Sequence, residues 1–308
     1  MKYYFGIDVG GTSVKGGIID ESGNVLVKCT SKIENGKVMP SIKYVTDNVL
    51  KSEFSKYISS VGVGVPCLFD KALGTVSYGN NLSFNGVNLS KFFYDNYNLG
   101  FNIANDADAA VLGELRFGAA RGYQDVVLIT IGTGIGCGII LNGKLYENGC
   151  SATGEFGHTV IKHNGRKCSC GRRGCFEVYA STNAFIKDCQ AVMRKNKDCI
   201  LWENYLPNEI DGKIIFDNVD KDVYLKAAFN KYLEILGVGI TNIANLLRPQ
   251  VILIGGGVSA QGDKLIKPLN DYLINNLFAK EFTAQINVVA AKNGNDAGIL
   301  GAAALTIE

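Results

Sequence analysis

The chain opens on short apolar runs and alternating positions. Residues 3 to 30 read as YYFGIDVGG, TSVKGGIID and VLVKC, parted by a glycine turn and by ESGN. Period-two alternation in the second and third pieces predicts half-buried antiparallel strands. A helical pattern follows over about 40 to 58, and the apolar run VGVGVP at 61 to 66 predicts a buried strand. Residues 125 to 149 repeat the opening as DVVLITIG, TGIGCGIIL, NGK and LYENG, with Asn142-Gly143 as a tight hairpin turn. Helical periodicity returns at 183 to 195, 221 to 247, 263 to 278 and 296 to 305, and VILIGGGV at 251 to 258 predicts another buried strand. The stretch from 196 to 222 breaks this rhythm and predicts a surface excursion.

The two opening patterns can be laid over each other without gaps. IDVGGTSVKGGIID (7 to 20) matches ITIGTGIGCGIILN (129 to 142) at Ile7/Ile129, Gly10/Gly132, Gly16/Gly138 and Ile18/Ile140. An offset of 122 residues is too long for a solenoid repeat. The shared strand-turn order instead predicts two similar α/β halves, each opening with a β-hairpin.

Composition narrows the class. A chain of 308 residues exceeds the usual single core, so two domains with a cleft between them are expected. With 47% hydrophobic and 19% charged residues it suits a globular protein, and a net charge of +2 argues against a nucleic-acid binder. No run of about 18 apolar residues occurs and no signal-peptide pattern opens the chain, so neither membrane nor secretion is expected. Six of the nine cysteines are dispersed (Cys29, Cys67, Cys137, Cys150, Cys189, Cys199), a poor disulfide framework that points to the cytoplasm.

Three glycine turns offer backbone amides to an anion: Asp8-Val9-Gly10-Gly11-Thr12, Gly132-Thr133-Gly134-Ile135-Gly136 and Gly255-Gly256-Gly257. The first two lead into strands, unlike a dinucleotide fingerprint, which needs a helix next. A plain tight turn accounts for any one of them; together they suggest two clamps on a polyphosphate and a platform for a nucleoside. Asp8 suits a Mg²⁺ ligand acting directly or through water, and equally a turn cap. In NIANDADAAVLGELRFGAA (102 to 120), Asn105, Asp106 and Asp108 open a helix. Capping explains them, yet a phosphoryl-transfer enzyme also needs an aspartate to accept a proton, and Asp106 qualifies.

GEFGHTVIKHNGRKCSCGRRGCFE (154 to 177) holds both histidines and three cysteines. Cys168, Cys170 and Cys175 with one histidine make a closed tetrahedral Zn²⁺ set, structural because no position stays open. Spacing alone leaves His158 and His163 both eligible.

Taken together, DVGGT, IGTGIG, the Glu-x-Gly-His of Glu155 to His158 and CSCGRRGC resemble the ROK family of sugar kinases and regulators, end to end. The resemblance implies an α/β two-domain actin-like ATPase (ribonuclease H-like) fold with duplicated βββαβα halves. The small domain would span 1–117 with the C-terminal helix 294–308, and the larger 118–293 with a zinc loop at 158–175. It further implies an ATP-dependent hexose kinase, glucokinase-like, phosphorylating O6 of glucose with Mg²⁺. N-acetylmannosamine and allose are the alternative sugars, and a sugar-responsive regulator lacking its DNA-binding domain is the alternative class. Such regulators carry an N-terminal helix-turn-helix, for which the sequence shows no room. Asn105 and Asp106 would bind the sugar, with Asp106 as general base. Glu155, His158 and Glu177 would hold other hydroxyls, and Asn81 would reach in from the small domain. His158 would ligate the zinc. Lys15 joins the three turns in nucleotide binding, and a homodimer is expected. One departure concerns the sugar: Gly64-Val65-Pro66-Cys67 stands where many members carry Gly-x-Pro-Gly.

Overall fold

The computed structural model describes residues 2–79, 82–147 and 151–307, so Asn81 lies outside the described residues. The elements are, in order, β1 (Tyr3–Val9), β2 (Ser13–Asp20), β3 (Val25–Lys32), α1 (Val38–Val49), β4 (Ser60–Val65), β5 (Cys67–Asp70), β6 (Thr75–Gly79), α2 (Leu89–Tyr97), β7 (Gly100–Asn105) and α3 (Asp106–Phe117). The second series is β8 (Val126–Ile131), β9 (Ile135–Leu141), β10 (Lys144–Leu145), α4 (Glu177–Ala180), α5 (Thr182–Lys195), α6 (Gly212–Asn218), α7 (Val223–Leu247), β11 (Val251–Gly255), α8 (Asp263–Asn276), β12 (Asn287–Ala290) and α9 (Ala297–Ala304).

Two five-stranded sheets share one order, β3-β2-β1-β4-β7 and β10-β9-β8-β11-β12. The repeat read from sequence therefore extends to topology: the turn between Val9 and Ser13 has its counterpart between Ile131 and Ile135. This is the duplicated α/β arrangement of the actin-like class. By packing, the chain forms two units: Met1–Leu128, Gly138–Gly154 and Ala291–Glu308, and Ile129–Cys137 with Glu155–Ala290.

In the first unit, β1 pairs antiparallel with β2 and parallel with β4, which pairs parallel with β7. Gly17, Gly6 and Gly62 are register partners across β2, β1 and β4. A Cβ on Gly6 or Gly62 would overlap the backbone of α9 at Ile299 or Ala302. The glycine row lets the small-residue helix AGILGAAA lie directly on the sheet backbone.

Glu114, fully buried on α3, fastens this return segment. Its carboxylate accepts from the backbone N–H of Ala119 (2.7 Å), Lys292 (3.0 Å) and Asn293 (2.8 Å). Removing it strands three amides, each worth about 1–3 kcal/mol when left unpaired in the interior. Glu114→Ala is expected to destabilise the fold by at least ~3 kcal/mol, read as a lowered midpoint in urea. An unchanged midpoint would mean that water takes over all three bonds.

Two expectations need correction. The helix expected over 40 to 58 is α1, ending at Val49, followed by a short 3₁₀ turn at Ser55–Tyr57. The buried face stops at Val49, and Ser52 and Ser55 favour turns over helix interior. The stretch from 196 to 222 is not merely a surface excursion. Leu201, Ile210, Ile215, Phe216 and Val219 are buried, and Phe216 packs on Phe185 and Phe229 at 5.4 and 5.7 Å. Asp222, capping α7 through the N–H groups of Tyr224 and Leu225, also accepts from Ile200 N–H at 2.8 Å and ties the segment down.

Candidate active site

The parallel register decides what gathers in the first unit. Asp8 lies opposite Gly64 and Val65 opposite Asn105, so β1, β4 and β7 end on the same side of the sheet. The chain leaves them there as the first glycine turn, as Pro66-Cys67 and as Asn105-Asp106. Ligands of open α/β sheets collect at this carboxyl end.

Asn105 is the cap of α3, accepting from Ala107 N–H at 2.9 Å, while Asp106 is the exposed first helical residue and shares that N–H through Oδ1. The capping role weighed for Asp106 therefore falls mainly to its neighbour. Asp106 also stands near Cys67. Burial pushes the Cys67 thiol up to about 11, and the negative charge of Asp106 adds to the shift. Asp108, two residues on in the same first turn, is buried.

Asp8 occupies a tight position beside the first turn. Burial raises its carboxyl above the ordinary range, and Lys15, its register partner on β2, pulls it back down. A Cβ on Gly298 would overlap the Asp8 carboxylate, so the start of α9 closes over it.

The glycines of the three turns fall into two kinds. Gly134 lies tight against a side chain, and Gly256 is demanded by backbone packing. A Cβ on the first would overlap the Glu177 carboxylate, and one on the second the Ile131 carbonyl, at a φ of +79°. The latter approach brings the third turn against the end of β8, where the second begins. Gly11, Gly132 and Gly257 differ: a Cβ there would meet nothing within 4 Å, and none has a left-handed φ. Packing does not require glycine at these three, and their backbones are open to close approach. Thr12 and Thr133 are exposed beside them. Gly10 and Gly132 close the first two turns by donating N–H to Ser13 O (2.9 Å) and Gly134 O (3.0 Å). Gly136 and Gly255 lie within β9 and at the end of β11.

In the second unit His158, Cys168, Cys170 and Cys175 could hold a metal ion, their ligand atoms all within 4.8 Å of one another. His158 Nδ1 lies 3.6 Å from Cys168 Sγ, and the sulfurs of Cys170 and Cys175 lie 3.7 Å apart. Tetrahedral Zn–S bonds of about 2.3 Å put sulfurs about 3.8 Å apart, which the Cys170–Cys175 separation matches. Burial and the neighbouring sulfurs push the Cys175 thiol up, whereas the Arg172 backbone N–H pulls Cys170 down. His163 is exposed and outside the cluster.

The loop is anchored on the second glycine turn. Glu177 Oε2, at the start of α4, accepts from Ile135 N–H at 3.0 Å, and a Cβ on Gly157 would overlap the Ile135 carbonyl. Glu177, read from sequence only as a sugar contact, thus holds the residue following that turn. No local spacing signals this, because the partners are 42 residues apart. At the other nitrogen of the His158 ring, Nε2 lies 3.9 Å from Glu155 Oε2.

Among known proteins, the ROK family model matches residues 4–308. The chain is 32% identical over 308 residues to a glucokinase of Thermotoga maritima, covering 98% of this chain and 96% of that protein. It is 31% identical over 255 residues to a xylose repressor of Caldicellulosiruptor bescii, covering 82% of this chain and 63% of the repressor. A ROK family glucokinase from Streptomyces griseus, solved with glucose and AMPPNP, superposes with a TM-score of 0.84 at 29% identity, covering 98% of both chains.

Proposed function

The chain belongs to the ROK family, and on that footing we propose that it is an ATP-dependent hexose kinase acting on O6 of glucose. The observation that carries the reading is the set of glycines, Gly11, Gly132 and Gly257, that the fold does not need. In each turn the exposed backbone around them, shaped by Gly10, Gly134 and Gly136, and the hydroxyls of Thr12 and Thr133 contact the phosphates. Gly255, Gly256 and Gly257 form the nucleoside platform, and Lys15 adds charge beside the first turn. Asp8 is the oxygen ligand for the Mg²⁺ carried by ATP, directly or through water. A carboxyl pushed upward by burial gains from a cation close by.

Asn105 orients the sugar and Asp106 accepts the proton of the attacking hydroxyl. Glu155, His158 and Glu177 hold other hydroxyls, and Asn81, outside the described residues, adds a contact. With Nδ1 of His158 turned to the sulfurs, its Nε2 and Glu155 Oε2 stand 3.9 Å apart. One hydroxyl oxygen can sit about 2.8 Å from each, accepting from Nε2–H and donating to the carboxylate. Zinc, held by His158, Cys168, Cys170 and Cys175, is structural and fixes that ring.

No helix among the described residues is long and apolar enough to cross a membrane, and we place the enzyme in the cytoplasm, where its thiols stay reduced.

Zinc content checks the ligand assignment. His163→Ala should keep one zinc per chain by elemental analysis, whereas Cys170→Ser should lower zinc, melting temperature and sugar affinity together. Zinc loss in the His163 variant would exchange the two histidines.

The reaction is tested by ADP release across a panel of glucose, N-acetylmannosamine, allose and other hexoses. Sugar-dependent turnover, greatest with glucose, is expected. The likeness to xylose repressors favours a second reading, a sugar-responsive regulator, which predicts sugar binding with no turnover on any member of the panel.

A further inference from the structure

A cavity of about 550 Å³ in the second unit is lined by none of the substrate, nucleotide or metal residues proposed above. Its walls come from residues 161–166 of the cysteine loop and from α4, α5 and α7. Ile161, Ile235, Val238 and Tyr179 contribute apolar residues, and Lys162 and Lys231 contribute cationic ones from different walls.

Charge in this cavity is unbalanced. Arg166 is satisfied by Asp188 in a two-pronged pair, Nη2 to Oδ1 at 2.6 Å and Nη1 to Oδ2 at 3.2 Å, with its guanidinium 4.8 Å from the centre of the Tyr179 ring. Lys162 and Lys231 have no carboxylate partner among the described residues. Two uncompensated cations beside an apolar wall complement an anion that carries an apolar body. The size lies within the range of small-molecule sites.

The walls are also preformed. Arg166 N–H donates to Tyr179 Oη at 2.6 Å, and a Cβ on Gly165 would overlap that oxygen. Gly174, at a φ of +84°, lies so close to the Lys162 carbonyl that no side chain fits. A ligand entering here would meet a built surface and would pay little to order it.

We propose that this cavity is a second ligand site, taking a small organic anion: a phosphate monoester or carboxylate on an apolar or aromatic body. The phosphate or carboxylate lies between Lys162 and Lys231, and the body packs on Tyr179, Ile235 and Val238. The claim does not rest on the kinase reading, since its readout is binding.

The test is calorimetric titration of the protein as purified, with AMPPNP and glucose present in excess to fill any phosphate or sugar site. Phenyl phosphate and benzoate are the probes, with inorganic phosphate and benzyl alcohol as controls. One phenyl phosphate per chain is expected with Kd below about 1 mM, and both controls at least about tenfold weaker. The benzoate arm separates carboxylate from phosphate selectivity. Both lysines are exposed, so Lys162→Glu/Lys231→Glu should fold normally, bind phenyl phosphate at least about tenfold more weakly and keep its turnover without the probe. The paired alanine variant should show the same loss in smaller degree. Absence of heat with phenyl phosphate at 10 mM, equal binding of benzyl alcohol, or full binding by the charge-reversed variant would overturn the proposal.

Discussion

Asp106→Asn should lower kcat by at least about 100-fold while sugar affinity and melting temperature stay near wild type. The substitution keeps the side chain's shape and much of its hydrogen bonding but removes its capacity to accept a proton. Asparagine caps a helix about as well as aspartate, and the cap of α3 is in any case Asn105. Stability therefore has little reason to move. General-base assistance is typically worth roughly 10²- to 10⁴-fold, and a loose phosphoryl-transfer transition state places the effect toward the lower end. Turnover and calorimetric sugar affinity measured on one preparation separate the roles. Wild-type kcat in the variant would leave Asp106 as part of a helix start and nothing more.

Gly132→Val should raise the KM for ATP by at least about tenfold, the equivalent of about 1.4 kcal/mol of binding lost to the intruding side chain. A Cβ at Gly132 would meet nothing within 4 Å, so the melting temperature should move far less than when the same change is made at a packed glycine. It would instead stand where a phosphate oxygen must approach the backbone. Gly256→Val is the internal contrast. There the side chain would meet the Ile131 carbonyl at a φ of +79°, and folding itself should suffer. An ATP KM unchanged in Gly132→Val would remove the second turn from the nucleotide site.

How much of this was legible beforehand depended on the range of the interactions. The hairpins showed in period-two alternation, and the overlay of Ile7 with Ile129 predicted matching turns; strands β1 and β8 end at Val9 and Ile131, and β2 and β9 begin at Ser13 and Ile135. The clustering of three cysteines was legible because it is local. Spacing alone left the choice of histidine open, and the fold brings His158 to the sulfurs.

Long-range roles were invisible. Glu114 is bound to Lys292 and Asn293, 178 and 179 residues away, and nothing around Glu114 marks it as a clamp. Glu177 holds Ile135 across 42 residues by the same kind of bond. Helix α6 is only 7 residues long, too short for a 3.6-residue period to stand out from its surroundings. Its burial follows from Phe216 meeting Phe185 and Phe229, which only the folded chain brings together.

The most direct measurement follows the phosphoryl group itself. Purified protein is incubated with Mg²⁺, glucose and ATP labelled at the γ-phosphate, and the products are separated and identified by mass and phosphorus NMR. The account predicts label on glucose at O6, in step with ADP and dependent on both substrates. Label appearing only as inorganic phosphate, at a rate indifferent to sugar, would contradict it.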